Sequence, residues 1–154
     1  MNNMKYAVVR ILFKGEEESH SVQFYDAESE AKKRFFAIMD SDINNKSTTY
    51  NAVYIFDKDG NIVKKEINDI RTVKSQFYVV VRYFFKGNTA STSVQYYPFD
   101  YDTVRNVYKT ALQRWFNIIA ADLLDKDIVE NGSYMFRNNG ELEETRTFYD
   151  DEEE

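Results

Sequence analysis

The stretch Tyr6-Ala7-Val8-Val9-Arg10-Ile11-Leu12-Phe13-Lys14-Gly15 is written a second time as Tyr78-Val79-Val80-Val81-Arg82-Tyr83-Phe84-Phe85-Lys86-Gly87, with seven of ten positions identical at an offset of 72 residues. A segment that recurs at a fixed offset marks a duplicated structural unit, and no other feature of this chain limits its fold as strongly. Within the run Ala7, Val9, Ile11 and Phe13 alternate with Tyr6, Val8, Arg10 and Leu12. Both sets are largely apolar, β-branched or aromatic, which suits a strand covered on both faces. Gly15 with Glu16-Glu17-Glu18-Ser19 reads as a polar turn, and Ser21-Val22-Gln23-Phe24-Tyr25 as the returning antiparallel strand of a hairpin.

A helix is predicted next. Asp26 is placed to cap it, Glu28 and Glu30 suit the positive end of its dipole, and Ala27, Ala31, Phe35, Ile38, Met39 and Ile43 form one apolar stripe. A third strand is expected at Thr49 to Phe56 and a fourth at Ile62 to Ile67. Between them, Asp57-Lys58-Asp59-Gly60-Asn61 has the make-up of a hairpin turn. The unit is thus ββαββ, and it repeats. Ser93 to Tyr97 matches Ser21 to Tyr25 at offset 72, whereas Trp115 to Ile119 matches Phe35 to Met39, and Gly140 matches Gly60, at offset 80. The change in offset locates an insertion at Pro98 to Arg105, which predicts a second helix that starts after an aromatic loop or is about two turns longer. Pro98, which cannot donate to a ladder, is expected to end its strand.

The fold class read from this pattern is α+β: a tandem duplication in residues 1–70 and 71–149, pseudo-two-fold, each unit an antiparallel sheet with one helix on a face. An acidic tail, 150–154, follows. The segment Asn68 to Gln76 has no Gly or Pro and does not resemble a flexible linker. Units of about 70 residues bury only about 60% of their unfolded surface, so the halves are expected to pack as one body.

Composition removes several chemistries. The chain has no Cys and one His, so thiol nucleophiles, disulfides and most zinc sites are not expected. His20 reads as a solvated residue of the first hairpin turn. Asp57 to Asn61 lacks the acid that closes a calcium loop, and the five glycines never cluster into a phosphate cradle. No catalytic residues, metal or cofactor are expected, and the protein is read as not an enzyme. The start Met1-Asn2-Asn3-Met4-Lys5 lacks the pattern of a secretory leader, and no run of eighteen apolar residues occurs, so a cytoplasmic protein is expected.

The net charge of −6 is concentrated at one end. Asp150, Asp151, Glu152, Glu153 and Glu154 supply five of the 26 acids, which leaves 21 acids against 20 bases in the body. Such a block is a solubilising tail, a segment that docks on a basic partner, or a gate over the protein's own nucleic-acid site.

Polar residues kept in both copies are Arg10/Arg82, Lys14/Lys86, Gln23/Gln95 and Asp42/Asp122. The aspartates, near helix C-termini, are expected to accept hydrogen bonds from the loops that follow. If the arginine faces are open, Tyr6, Arg10, Gln23 and Tyr25, with Tyr78, Arg82 and Gln95, have the make-up of a base-stacking platform. If the faces are closed, Arg10 and Arg82 pair with carboxylates between layers, and this is the favoured reading. Tyr97, Phe99 and Tyr101, at the insertion that the duplicated fold does not require, are candidates for a protein-binding surface together with Asp150 to Glu154.

An aromatic-rich, Cys-free, acidic-tailed small chain of this kind resembles small uncharacterised proteins of bacterial viruses and mobile elements. That resemblance names no family and implies no activity. The leading expectation is a non-enzymatic interaction protein, an accessory or inhibitor that binds a host protein in the host cytoplasm. The alternative is a single-stranded nucleic-acid binder whose acidic tail is similar to those of single-stranded-DNA-binding proteins. A second alternative is a structural or virion component that forms a homo-oligomer.

Overall fold

The computed structural model describes residues 5–71 and 75–149, and the acidic tail Asp150 to Glu154 lies outside the described residues. The chain divides into two compact units, Asn3–Lys74 and, chiefly, Ser75–Glu154. The first contains β1 (Tyr6–Lys14), β2 (Glu17–Tyr25), α1 (Glu28–Ile43), β3 (Tyr50–Asp57) and β4 (Ile62–Asp69). The second contains β5 (Gln76–Lys86), β6 (Thr89–Phe99), α2 (Val104–Leu124), β7 (Glu130–Arg137) and β8 (Leu142–Tyr149). The fold is therefore α+β, a duplicated ββαββ unit.

Each sheet is fully antiparallel, in the order β2-β1-β3-β4 and β6-β5-β7-β8. The repeated strands β1 and β5 thus lie inside their sheets, and residues on both of their faces are buried: Val8 and Val9, and likewise Val80 and Val81. β2 and β3 flank β1, so α1 crosses over β1 to connect them, and α2 does the same over β5. One core cluster fills the space under each helix. Val8, Val53 and Ile55 of the first sheet meet Ala31, Phe35, Ile38 and Met39. Tyr78, Val80 and Met135 of the second meet Ala111, Trp115, Ile118 and Ile119, with Phe99 beside them.

Four local expectations are corrected. The hairpin turn is tighter than Gly15 to Ser19: Lys14 pairs with Glu17, so Gly15 and Glu16 alone make the turn and His20 lies in β2 opposite Ile11. Gly15 and Gly87 take φ of 65° and 64°, the glycine-first form of a two-residue hairpin. Asp26 does not cap α1, whose N-cap is Ala27 without a side-chain bond, although Glu28 and Glu30 do lie in its first turn. Ile43 is exposed and Asp42 takes its place on the buried stripe. Pro98 does not end β6. It pairs with Phe77 inside the strand, which is tolerated because β6 is an edge strand and the missing N–H faces no ladder.

The insertion is shared among three elements. β6 gains Pro98 and Phe99, Asp100 to Thr103 turn the chain, and α2 has 21 residues against 16 in α1. The turn is tied together by Asp100, whose carboxylate accepts from the backbone N–H of Asp102 and from both the N–H and the hydroxyl of Thr103. Val104, Val107 and Tyr108 on the added helical turn pack against the second core.

The two sheets also differ at one cross-strand pair. Tyr83 lies opposite Gly132 where the first sheet has Ile11 opposite Ala52. A Cβ on Gly132 would come within 2.2 Å of the Tyr83 ring, which is itself buried. Gly132→Ala is expected to cost about 1–3 kcal/mol by overpacking, measured by urea unfolding followed through Trp115, the only tryptophan. Adding Tyr83→Ile, which recreates the first unit's pair, is expected to cost less than the two single losses summed. A single loss below about 0.5 kcal/mol would show that the ring swings aside freely.

Candidate interaction surface

Each repeated arginine is held under its helix. Arg10 Nε donates to Asp42 Oδ2 at 3.1 Å while its terminal nitrogen bonds Oδ1, and Asn51 of β3 donates to the same carboxylate. Arg82, Asp122 and Asn131 repeat this arrangement, again with 3.1 Å at Nε. The aspartate side chains are 3% and 1% exposed, so the carboxylates are buried and the guanidinium stems only partly so. The expected hydrogen bonds from the following loops are therefore replaced by bonds from β1 and β3, or β5 and β7. The reason is that Asp42 falls on the inward side of α1, four residues beyond Ile38, where the sheet rather than the loop is within reach. A second repeated bond joins helix to edge strand: Arg34 donates to Gln23, and Arg114 to Gln95.

The face that would form a base-stacking platform is thus the one that the helix covers. Tyr6 and Tyr25 pack against the first core, and Tyr78 lies within the second, its ring stacked on Phe99 at 4.6 Å. Arg10, Arg82, Gln23 and Gln95 are engaged with the helices as described. These seven side chains do not form an open platform.

The insertion aromatics separate. Phe99 is buried, with Arg137 over its ring, and so is removed from the candidate protein-binding set. Its side chain closes the end of the core that the longer α2 covers. Tyr97 is half-buried against the same core, its hydroxyl donating to Gln95 at 3.4 Å, and burial raises its pKa while Arg114 opposes the shift. Tyr101 alone is open, at 93% exposure on the turn that Asp100 organises.

A larger surface lies on the helices. Phe36 and Ile43 are 57% and 59% exposed on α1, and Phe116 and Leu123 are 53% and 50% exposed on α2, with Leu124 more open still. Residues seven apart lie two turns apart on one side of a helix. Each helix therefore carries an apolar strip on its flank, beside its buried stripe. Lys64 of β4 places its ammonium 5.2 Å from the centre of the Phe36 ring, so the first strip borders the edge strand β4. Phe36 and Phe116 also set their rings edge-on to the buried neighbours Phe35 and Trp115. The signal was present in the repetition: positions 36 and 116, and 43 and 123, are apolar in both copies, although neither belongs to the stripe that packs on the sheet.

Among the described residues, no three His, Cys, Asp or Glu side chains gather where they could hold a metal ion, and no helix is long and apolar enough to cross a membrane. No protein-family model, curated protein or solved structure matches the chain.

Proposed function

We propose that this protein acts by binding protein chains rather than by catalysis, and that its contact surface is the pair of apolar helix strips, Phe36/Ile43 and Phe116/Leu123. The observation that carries this reading is that the strips occur at equivalent places in both units while remaining at least half exposed. Packing within a unit accounts for the buried stripe, whereas Phe36 and Phe116 meet it only at a ring edge and stay more than half exposed. Exposed aromatic and aliphatic side chains grouped on a rigid helix are the usual anchors of protein interfaces. The non-enzymatic part is supported by Asp42 and Asp122, buried carboxylates committed to an arginine and an asparagine rather than aimed into an open site.

The test compares the full chain with Phe36→Asp/Phe116→Asp as bait in extracts of the cells that express it. Both must show the same circular dichroism. The expected result is a set of retained proteins that the double variant loses by at least roughly tenfold, as hot-spot anchors do. The same set retained by both baits would overturn the assignment of the surface.

A further inference from the structure

We infer that the edge strand β6 pairs antiparallel with β6 of a second copy of this chain, joining two four-stranded sheets into one continuous sheet about a two-fold axis. The direction of the β6 backbone groups follows from its neighbour β5. Phe77 gives both its N–H and its carbonyl to Asn138, just beyond β7, so it exchanges no backbone bonds with Pro98, its partner on β6. Bonded and non-bonded pairs alternate along an antiparallel ladder, so Ala90, Thr92 and Val94, at even spacing from Pro98, turn their N–H and carbonyl groups away from β5. Among the described residues no strand lies beyond β6, and Thr89 to Thr92 are exposed.

The other three edge strands carry charges of the kind that discourage pairing: Glu17 and Glu18 on β2, Lys64, Lys65 and Glu66 on β4, and Glu143, Glu144 and Arg146 on β8. β6 runs for 11 residues, Thr89–Phe99, without a charge. Its exposed half is built from Thr, Ala and Ser, which form no pocket for the side chains of a foreign peptide. The same small side chains fit their own copy, since Thr and Ser pair favourably across antiparallel strands. β6 is already ordered along its length by β5, so joining two copies orders no new backbone, whereas a peptide would have to be ordered. Pro98, which has no N–H to offer, stops the row at one end, and the turn at Gly87 stops it at the other. This contact goes beyond the helix strips and does not depend on them. Arg114 turns one flank of α2 toward Gln95 of β6, and Phe116 lies two residues on, about 200° around the helix, on the other flank.

Sedimentation velocity across the micromolar range tests this on the full chain. The mass is expected to rise with concentration from the 18.3 kDa of one chain to a limit of two chains. Thr92→Pro removes an outward N–H, a change that the edge already tolerates at Pro98, and is expected to weaken association by roughly tenfold or more. Thr92→Lys and Thr92→Glu are each expected to weaken it through like charge near the axis, and an equimolar mixture of the two to restore it. His20→Pro, at the same position of β2, and Phe36→Asp/Phe116→Asp are expected to leave association unchanged. Amide exchange is expected to slow with concentration at Ala90, Thr92 and Val94, while Ser91 and Ser93, bonded to β5, are protected at every concentration. A chain that stays monomeric, a mass that climbs past two chains, or a dimer that Thr92→Pro leaves intact overturns the inference. A monomer whose strips still capture other proteins leaves the proposed function standing, and a β6 dimer whose strips capture nothing leaves this inference standing.

Discussion

Replacing Asp122 with alanine is expected to destabilise the second unit by about 3–5 kcal/mol, the usual cost of removing one partner from a buried ion pair. The carboxylate is 1% exposed and neutralises Arg82, which is fixed on β5 and cannot leave its face of the sheet. It is also the acceptor for Asn131, so its loss leaves a buried amide as well as a cation short of a partner. Asp42→Ala should behave alike in the first unit, where Arg10 and Asn51 are stranded in the same way. Urea unfolding followed by Trp115 fluorescence reads the second unit's loss, and circular dichroism reads the first's. The contrasting variant replaces all three groups, Arg82→Met/Asp122→Leu/Asn131→Val, and is expected to lie within about 1–2 kcal/mol of the parent, since a well-packed apolar substitute can match a buried ion pair. That contrast separates what the trio does for stability from what it does for placement. A fixed bidentate pair sets the helix at one height and rotation over the sheet, which an apolar contact specifies less sharply. A loss below about 1 kcal/mol for Asp122→Ala would show that the pair behaves as a hydrated surface bridge.

Asp122 also shows where sequence reading succeeds and where it stops. The repeat, the hairpins and the helix stripes follow from periods of two and about 3.6, which are local properties of the chain. The stripe itself was read one residue too far because a carboxylate at position 42 looks out of place on an apolar face. It fits only once its partner, Arg10, 32 residues earlier, is known to lie beneath it. Both residues were recognised as repeated, and closure of the arginine face was the favoured reading, but their pairing is a three-dimensional fact. Phe99 failed as a candidate for a similar reason. The insertion reads from the sequence as an aromatic loop or about two further turns of helix, and the chain divides it among a longer β6, a turn and a longer α2, which draws Phe99 inward onto Tyr78. The helix strips are not legible in one copy, because Ile43 fits the spacing of the buried stripe and Phe36 looks like an imperfection of amphipathicity until the second copy repeats both as Leu123 and Phe116.

Trp115 carries the other large effect. Trp115→Ala is expected to cost about 3–5 kcal/mol, the range for truncating a buried aromatic. The indole is 6% exposed in the middle of the second core and donates its Nε1–H to the backbone oxygen of Ser133 at 3.2 Å. The first unit has Phe35 at this place, facing Val53 where the second has Ser133. Phenylalanine is therefore a side chain that this architecture already accommodates, and Trp115→Phe measures what the extra ring and its donor contribute. It is expected to cost about 1–2 kcal/mol, composed of one hydrogen bond and a modest loss of buried area. Because the fluorophore is removed, circular dichroism must follow both variants. The smaller value for phenylalanine would mean that shape filling dominates, and that the longer α2, with Val107 and Tyr108 closing the core beyond position 111, supports a larger centre than α1 can cover. Equal losses for alanine and phenylalanine would reverse that conclusion. The bond to Ser133 would then be what fixes α2 over β7, and the second unit would rely on a polar tether where the first relies on packing alone.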